Sequence, residues 1–363
     1  MRAIIQLVKR FNFCGGNMLP EEKKNQRAKI TDVAEYAKVS VATVSIILKD
    51  PKNNRFSEKT VKKVLAAAEA LQYQPALFAQ QMKGKHLSVI GLIIPDLMNH
   101  FYPEVTTGFS KQANALGYNV ILLNSDNSID QEQVFADALI RMRVAGVAMC
   151  GVYSTDEREL EVIKRLNSMD IPVVRFDRYN ANETCPFVGI DNYHAGYYIT
   201  EKLIKAGHKK ICCLAPKNPV YIVSERCKGY LSAMEKHGLE SSFCSFDAKE
   251  FGSLYQTMQS IWESGEGHTA LFTPGGDMDA IECIKTASTL KIDVPGDLSI
   301  AGFDDIYISN IIKPSLTTIR QPKFEMGEAA MKLLYKMMKN EELEEKKILL
   351  PFEYVAREST RVV

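Results

Sequence analysis

Residues 30–48 read ITDVAEYAKVSVATVSIIL, two short amphipathic halves joined at Lys38-Val39. Thr31 is placed to cap a first helix reaching Tyr36, with Asp32 setting negative charge on its first turn. Ser40 caps a second, in which Val41, Val44 and Leu48 share one face while Ala42, Thr43 and Ser45 turn elsewhere. A recognition helix that enters the major groove crosses its partner steeply. This takes a small residue at the contact and an apolar residue facing back. Ala34 and Val44 meet both demands. An ordinary helical hairpin shares this spacing, and the turn carries Lys38 where Gly would be easiest, at a cost of about 1 kcal/mol if its φ is positive.

The second helix exposes small groups that let it sit deep against base edges. Ala42 and the Thr43 methyl suit thymine methyls, and the hydroxyls of Ser40 and Ser45 reach bases or phosphates. Lys49, Lys52, Arg55, Lys59, Lys62 and Lys63 follow, either as a phosphate-facing set or as a solvated basic helix face. Ser57 caps a third helix, with Val61, Val64, Leu65 and Ala68 on its apolar side. Pro75 then opens a short amphipathic segment, residues 76–82, ended by Gly84.

Around this stretch the chain of 363 residues is 46% hydrophobic and 25% charged, too apolar for disorder and longer than one typical domain. Net charge is +1, which at face value argues against a nucleic-acid binder. The average conceals a split: residues 1–85 carry 16 Lys+Arg against 7 Asp+Glu, and residues 86–363 carry 29 against 37. No apolar run reaches the roughly 18 residues of a membrane span, and the stretch at residues 4–8 is closed by Lys9-Arg10. Residues 1–28 read as a disordered leader, with Met18 a candidate translation start. Eight cysteines without CxxC spacing point to a reducing, cytoplasmic compartment, with neither a disulfide framework nor a zinc site.

After His86 the pattern changes to apolar strands at 89–94, 120–123, 146–150, 173–176, 210–214, 270–272 and 298–302. Between them lie helical stretches at 102–116, 131–141, 157–169, 193–205, 224–237, 252–262, 278–290 and 324–339. Such alternation specifies parallel sheets covered on both faces. The expected fold is an all-α helix-turn-helix headpiece followed by an α/β core of two doubly wound, Rossmann-like subdomains with a cleft between them.

These residues resemble the lac repressor family of bacterial transcription regulators. The likeness runs through Ile30-Thr31-Asp32-Val33-Ala34, Val39-Ser40-Val41-Ala42-Thr43-Val44-Ser45, Ser57-Glu58-Lys59-Thr60 and Leu71-Gln72-Tyr73-Gln74-Pro75. It continues through Ile94-Pro95-Asp96, Asn124-Ser125-Asp126, Gly207-His208, Gly302-Phe303-Asp304-Asp305, Leu316-Thr317-Thr318-Ile319-Arg320-Gln321-Pro322 and Arg357-Glu358-Ser359-Thr360, covering residues 29–361. The resemblance implies a homodimer on a near-palindromic operator and a periplasmic-binding-protein-like core. It divides the chain into a headpiece at 29–74, a hinge helix and linker at 75–86 and an effector-binding core at 87–363. It extends the DNA-facing set to Thr31, Val41, Tyr73 and Ala79, and sets Met82 where the family usually has a minor-groove Leu wedge. Met82 as a linker residue is the other reading. Ile46 departs from the Arg that many relatives carry.

By the same resemblance Phe101 and Tyr102 reach the cleft mouth, or one of them fills the lobe core. Arg178 contacts ligand or forms a surface ion pair, and Arg226 is the arginine that forks onto a carboxylate, phosphate or vicinal diol. Asp277 is the expected acceptor for sugar hydroxyls, although it matches only with one inserted residue and follows Gly276 instead of Asn. GxGxxG, GxxxxGK[ST] and GxSxG are all missing, so no enzyme, cofactor or metal is expected. The leading reading is an effector-controlled repressor of carbohydrate-related genes, with a sugar or sugar phosphate as effector and no membrane association. The chain ends at Val363 with no room for a C-terminal heptad segment, which favours a dimer. The alternative, a periplasmic-type solute-binding protein with a basic appendage, calls for an export signal.

Overall fold

A computed structural model of the chain describes residues 28–51, 55–73, 88–151, 157–179 and 184–363. The expected leader before residue 28, Lys52, and the expected hinge with Ala79 and Met82 lie outside them. Two units are distinguished, residues 1–83 and 84–363.

In the first unit, helices α1 (Ile30–Ala37), α2 (Val41–Lys49) and α3 (Glu58–Ala70) close around Val33, Ala34, Ala37, Val44, Ile47 and Val64. Ser40 and Ser57 cap as expected, their hydroxyls accepting from the N–H of Thr43 (3.1 Å) and Thr60 (3.3 Å). Thr31 does not cap. The helix begins at Ile30, two residues before the start a Thr31 cap would set, and Asp32 reaches back to accept from the Lys29 N–H at 2.7 Å. Lys38 sits in the left-handed region (φ 52°, ψ 47°), and the Val39 N–H beyond it bonds to the Ala34 carbonyl at 3.0 Å, closing α1. Two face assignments change. Val41 and Leu65 are exposed, and Ile47 and Ala67 are buried in their place, because the contact faces follow Val44-Ile47 and Val64-Ala67-Ala68 at helical spacing.

The second unit holds two lobes. Strands β1 (Val89–Ile94), β2 (Asn119–Asn124), β3 (Gly146–Met149), β4 (Val173–Phe176), β5 (Phe187–Gly189) and β11 (Lys347–Leu349) form a parallel sheet in the order β11-β5-β4-β3-β1-β2. Helices α4 (Tyr102–Ala115) and α12 (Lys323–Met338) cover one face; α5 (Ile129–Met142) and α6 (Glu157–Asn167) cover the other. Strands β6 (Ile211–Pro216), β7 (Ser242–Phe246), β8 (Ala270–Phe272) and β9 (Ser299–Ala301) form the second parallel sheet, in the order β7-β6-β8-β9. It lies between α7 (Asn192–Lys205) with α8 (Tyr221–Lys236) and α9 (Ser253–Glu263) with α10 (Asp277–Thr289).

The chain crosses between lobes more than once. After the short helix α11 (Tyr307–Ile311), strand β10 (Thr318–Arg320) pairs antiparallel with β12 (Glu353–Val355), while α12 and β11 belong to the first lobe. Ser359 then donates to the Ile300 carbonyl at 2.6 Å, returning the terminus to the second lobe. Two helix pairs set the geometry of the cleft. A Cβ at Gly108 or Gly327 would strike the opposing backbone of α12 or α4, and one at Gly196 or Gly229 would strike that of α8 or α7. Backbone-to-backbone approach of α7 and α8 is what brings Arg226 deep into the lobe.

Candidate DNA and effector sites

On the headpiece Thr31, Ser40, Val41, Ala42, Lys49 and Arg55 are exposed, and Thr43, Ser45 and Tyr73 are half-buried. Val41, Ala42, Ser45 and Lys49 recur along the outer side of α2, with Ile47 and Val44 turned inward. Tyr73 packs against the three-helix core instead of projecting. The outward side is thus short-chained and hydroxyl-rich, with its cation at the C-terminal end.

In the core, Phe101, Tyr102, Arg178 and Arg226 come together around a small cavity of about 40 Å³, joined by Asn99, Asp177, Asp304 and Gln321. The Asn99 carboxamide accepts from the Phe101 N–H at 3.0 Å and so fixes the start of α4. Phe101 and Tyr102 meet edge to face, 5.2 Å between centroids, and both are buried. The Tyr102 hydroxyl donates to Asp177 at 3.2 Å. Arg178 is half-buried and donates to the Asn127 side-chain oxygen at 3.1 Å.

Arg226 is 2% exposed. Its Nε donates to Asn192 (2.8 Å) and one terminal nitrogen to the Pro274 carbonyl (2.9 Å), while the guanidinium lies 3.6 Å above the Phe303 ring centroid. Asp304 stands 3.9 Å from it and accepts from the Gln321 amide at 2.7 Å. Burial pushes the Asp304 carboxyl up to about 6, with Arg226 and Gln321 opposing, and raises Asp177 as well. Burial also lowers Arg226 from its ordinary value, with Asp304 and Asp177 restoring part of it.

Asp277 is placed elsewhere. One of its oxygens accepts from the Thr318 hydroxyl (2.6 Å), the other from the Ser309 hydroxyl (2.6 Å) and the Ile306 N–H (3.0 Å). Gly302 makes room for it, since a Cβ there would meet the carboxylate. Asp277 therefore braces α10 against α11 and β10 inside the second lobe, and the acceptor that faces the cavity is Asp304.

Residues 29–76 match the family described as bacterial regulatory proteins, lacI family; residues 87–260 match periplasmic binding proteins and the sugar binding domain of that family, and 200–360 a periplasmic binding protein-like domain. The transcriptional regulator RegA of Clostridium saccharobutylicum is 32% identical over 334 residues, 91% of this chain and 98% of the relative. The chain belongs to the lacI family. The ribose operon repressor of Halalkalibacterium halodurans is 31% identical over 332 residues, 92% of this chain and 97% of its own. The fold is that of the lac repressor dimer solved with operator and an anti-inducer, at a TM-score of 0.80 and 24% identity, covering 93% of this chain and all of that one.

This lacI-family chain is a DNA-binding transcriptional regulator, and its relatives are regulators, not enzymes. Among the described residues no helix is long and apolar enough to cross a membrane. Sequence reasoning quoted Asp304 and Gln321 but gave neither these nor Asp177 a role in the cavity. The available signal was an Asp on each side of the cleft directly after an apolar strand, in Phe176-Asp177-Arg178 and Phe303-Asp304-Asp305. Both acquire positive φ (59° and 112°), which turns the chain at the strand end and aims the side chain inward.

Proposed function

We propose that this protein is a cytoplasmic repressor of carbohydrate-related genes, acting as a homodimer whose operator affinity is set by a sugar held in the core cavity. The carrying observation is the Arg226 guanidinium stacked on Phe303 beside Asp304, with Asp177 facing the same space. Guanidiniums and carboxylates together donate and accept, which is what vicinal hydroxyls need, while Phe101 offers an apolar edge to a sugar ring. Two arginines against two aspartates leave the lining near neutral, which favours hydroxyls over a phosphate. On the headpiece Ser40, Val41, Ala42, Thr43 and Ser45 meet the major groove, and Thr31, Lys49 and Arg55 meet phosphates. Met82 and Ala79 enter the minor groove. Coupling between the sites is limited to the ligand's differential affinity for the two arrangements of the core.

A thermal-shift screen of sugars and sugar phosphates tests the effector half. A true ligand at 100 times its dissociation constant adds about 2.7 kcal/mol of stability. Arg226→Ala abolishes that shift and costs about 3 kcal/mol of stability by leaving the buried Asp304 without its nearest cation. A variant that keeps the full ligand shift removes Arg226 from the site.

A further inference from the structure

Strand β6 carries two adjacent cysteines whose side chains leave opposite faces of the second sheet. Cys212 belongs to the apolar cluster beneath α9 and α10, Cys213 to the one beneath α7 and α8. Across that second face stands Cys227 of α8, its Sγ 4.0 Å from that of Cys213. Cys227 directly follows Arg226 and lies one helical turn beyond Val223, and both of those neighbours line the cavity. A small molecule that enters the cavity is therefore one layer of side chains from a thiol pair.

We propose that Cys213 and Cys227 are a peroxide-oxidisable pair one layer of side chains behind the cavity wall, whose disulfide fastens the helix carrying Arg226 to strand β6. The two thiols are chemically unequal. A hydrogen bond from Cys213 holds the Cys227 thiol below its ordinary range, burial opposing and the Arg226 guanidinium assisting, whereas burial drives Cys213 well above. Cys227 is thus the attacking group and Cys213 the resolving one. The Cys227 thiolate attacks one oxygen of hydrogen peroxide; the O–O bond breaks, and the departing hydroxide takes a proton to leave as water. The resulting sulfenic acid is attacked by the Cys213 sulfur. The S–S bond forms as the S–O bond breaks, and the second oxygen leaves as water with the Cys213 proton. Two thiols lose two electrons, and one peroxide becomes two waters. The sulfurs must close from 4.0 Å to about 2.05 Å for the bond to form.

The test uses the full chain, reduced, treated with hydrogen peroxide, alkylated and cut with trypsin without reductant. Cleavage after Lys210, Lys217, Arg226, Lys228, Lys236 and Lys249 separates residues 211–217, the dipeptide Cys227-Lys228 and residues 237–249, which contain Cys244. The expected product is 211–217 joined to Cys227-Lys228, retained in Cys212→Ser and lost in Cys213→Ser. In Cys213→Ser the reaction stops at Cys227 sulfenic acid, which dimedone captures. Amide exchange across α8 slows several-fold in the oxidised parent protein. Linkage of 211–217 to 237–249 alone, full alkylation of Cys227 after peroxide, or unchanged exchange overturns the proposal. None of these readouts depends on the sugar reading of the cavity.

Discussion

In the headpiece, the groups offered to a partner are small and lie outside the core; in the cavity they are charged and buried. Ala42 and Ser45 are available because Val44 and Ile47 of the same helix carry the packing, so along α2 recognition and core packing use different residues. Arg226 and Asp304 do both jobs at once. Their charges hold the second lobe's cavity wall in place and are also the groups a ligand would meet. A surface site of the first kind tolerates substitution, whereas a buried site of the second kind couples affinity to stability.

Charge sharpens this contrast first and most strongly. Residues 1–85 carry nine more cations than anions, and the remainder eight fewer. With about six phosphate contacts, affinity for an operator recovered by selection from random duplexes should fall roughly 1,000-fold between 50 and 200 mM salt. Binding of the sugar identified by thermal shift should change less than about twofold, because buried pairs are screened little. A ligand affinity that followed the operator's salt slope would mean the two regions do not divide the work this way.

Next in size is the exchange of roles between two aspartates of the second lobe. Asp304→Asn should weaken the sugar about 10-fold or more by removing a charge-assisted acceptor, and should cost stability as well by leaving the buried Arg226 without its nearest carboxylate. Asp277→Asn should cost stability alone. It sets an amide donor against Thr318, Ser309 or the Ile306 N–H and costs about 2 kcal/mol, with sugar affinity nearly unchanged. Calorimetry paired with denaturant titration separates the two. If Asp277→Asn is the one that abolishes binding, the bracing role assigned to it is wrong.

These aspartates also mark where the sequence stopped being readable. Helix spacing around Ala34 and Val44, the Ser40 and Ser57 caps and the apolar strand runs are local signals, and they located the headpiece and seven strands. Strands β5, β7, β10, β11 and β12 are three to five residues long and several lie at sheet edges, where half-exposed residues erase the apolar run. Arg226 was legible through the family resemblance, but its Asp partner was not. Asp277 and Asp304 are both buried after apolar strands, and only the long-range contacts of Thr318 and Ser309 decide which one is occupied internally.

The smallest effect concerns the turn between the first two helices. Lys38 is exposed, with a backbone in the left-handed region that costs a side chain about 1 kcal/mol. Lys38→Gly relieves that strain but adds freedom to the unfolded chain, so the net gain should be about 0.5 kcal/mol. Lys38→Asn removes the same charge and tolerates the same backbone, and should fall between parent and Gly. Amide exchange of α1 and α2 in the full chain reads this order directly. Equal slowing in Gly and Asn would trace the effect to the lost charge instead of the backbone. Operator affinity that drops equally in both variants would add Lys38 to the phosphate-facing set, so that, like Arg226, it serves fold and ligand together.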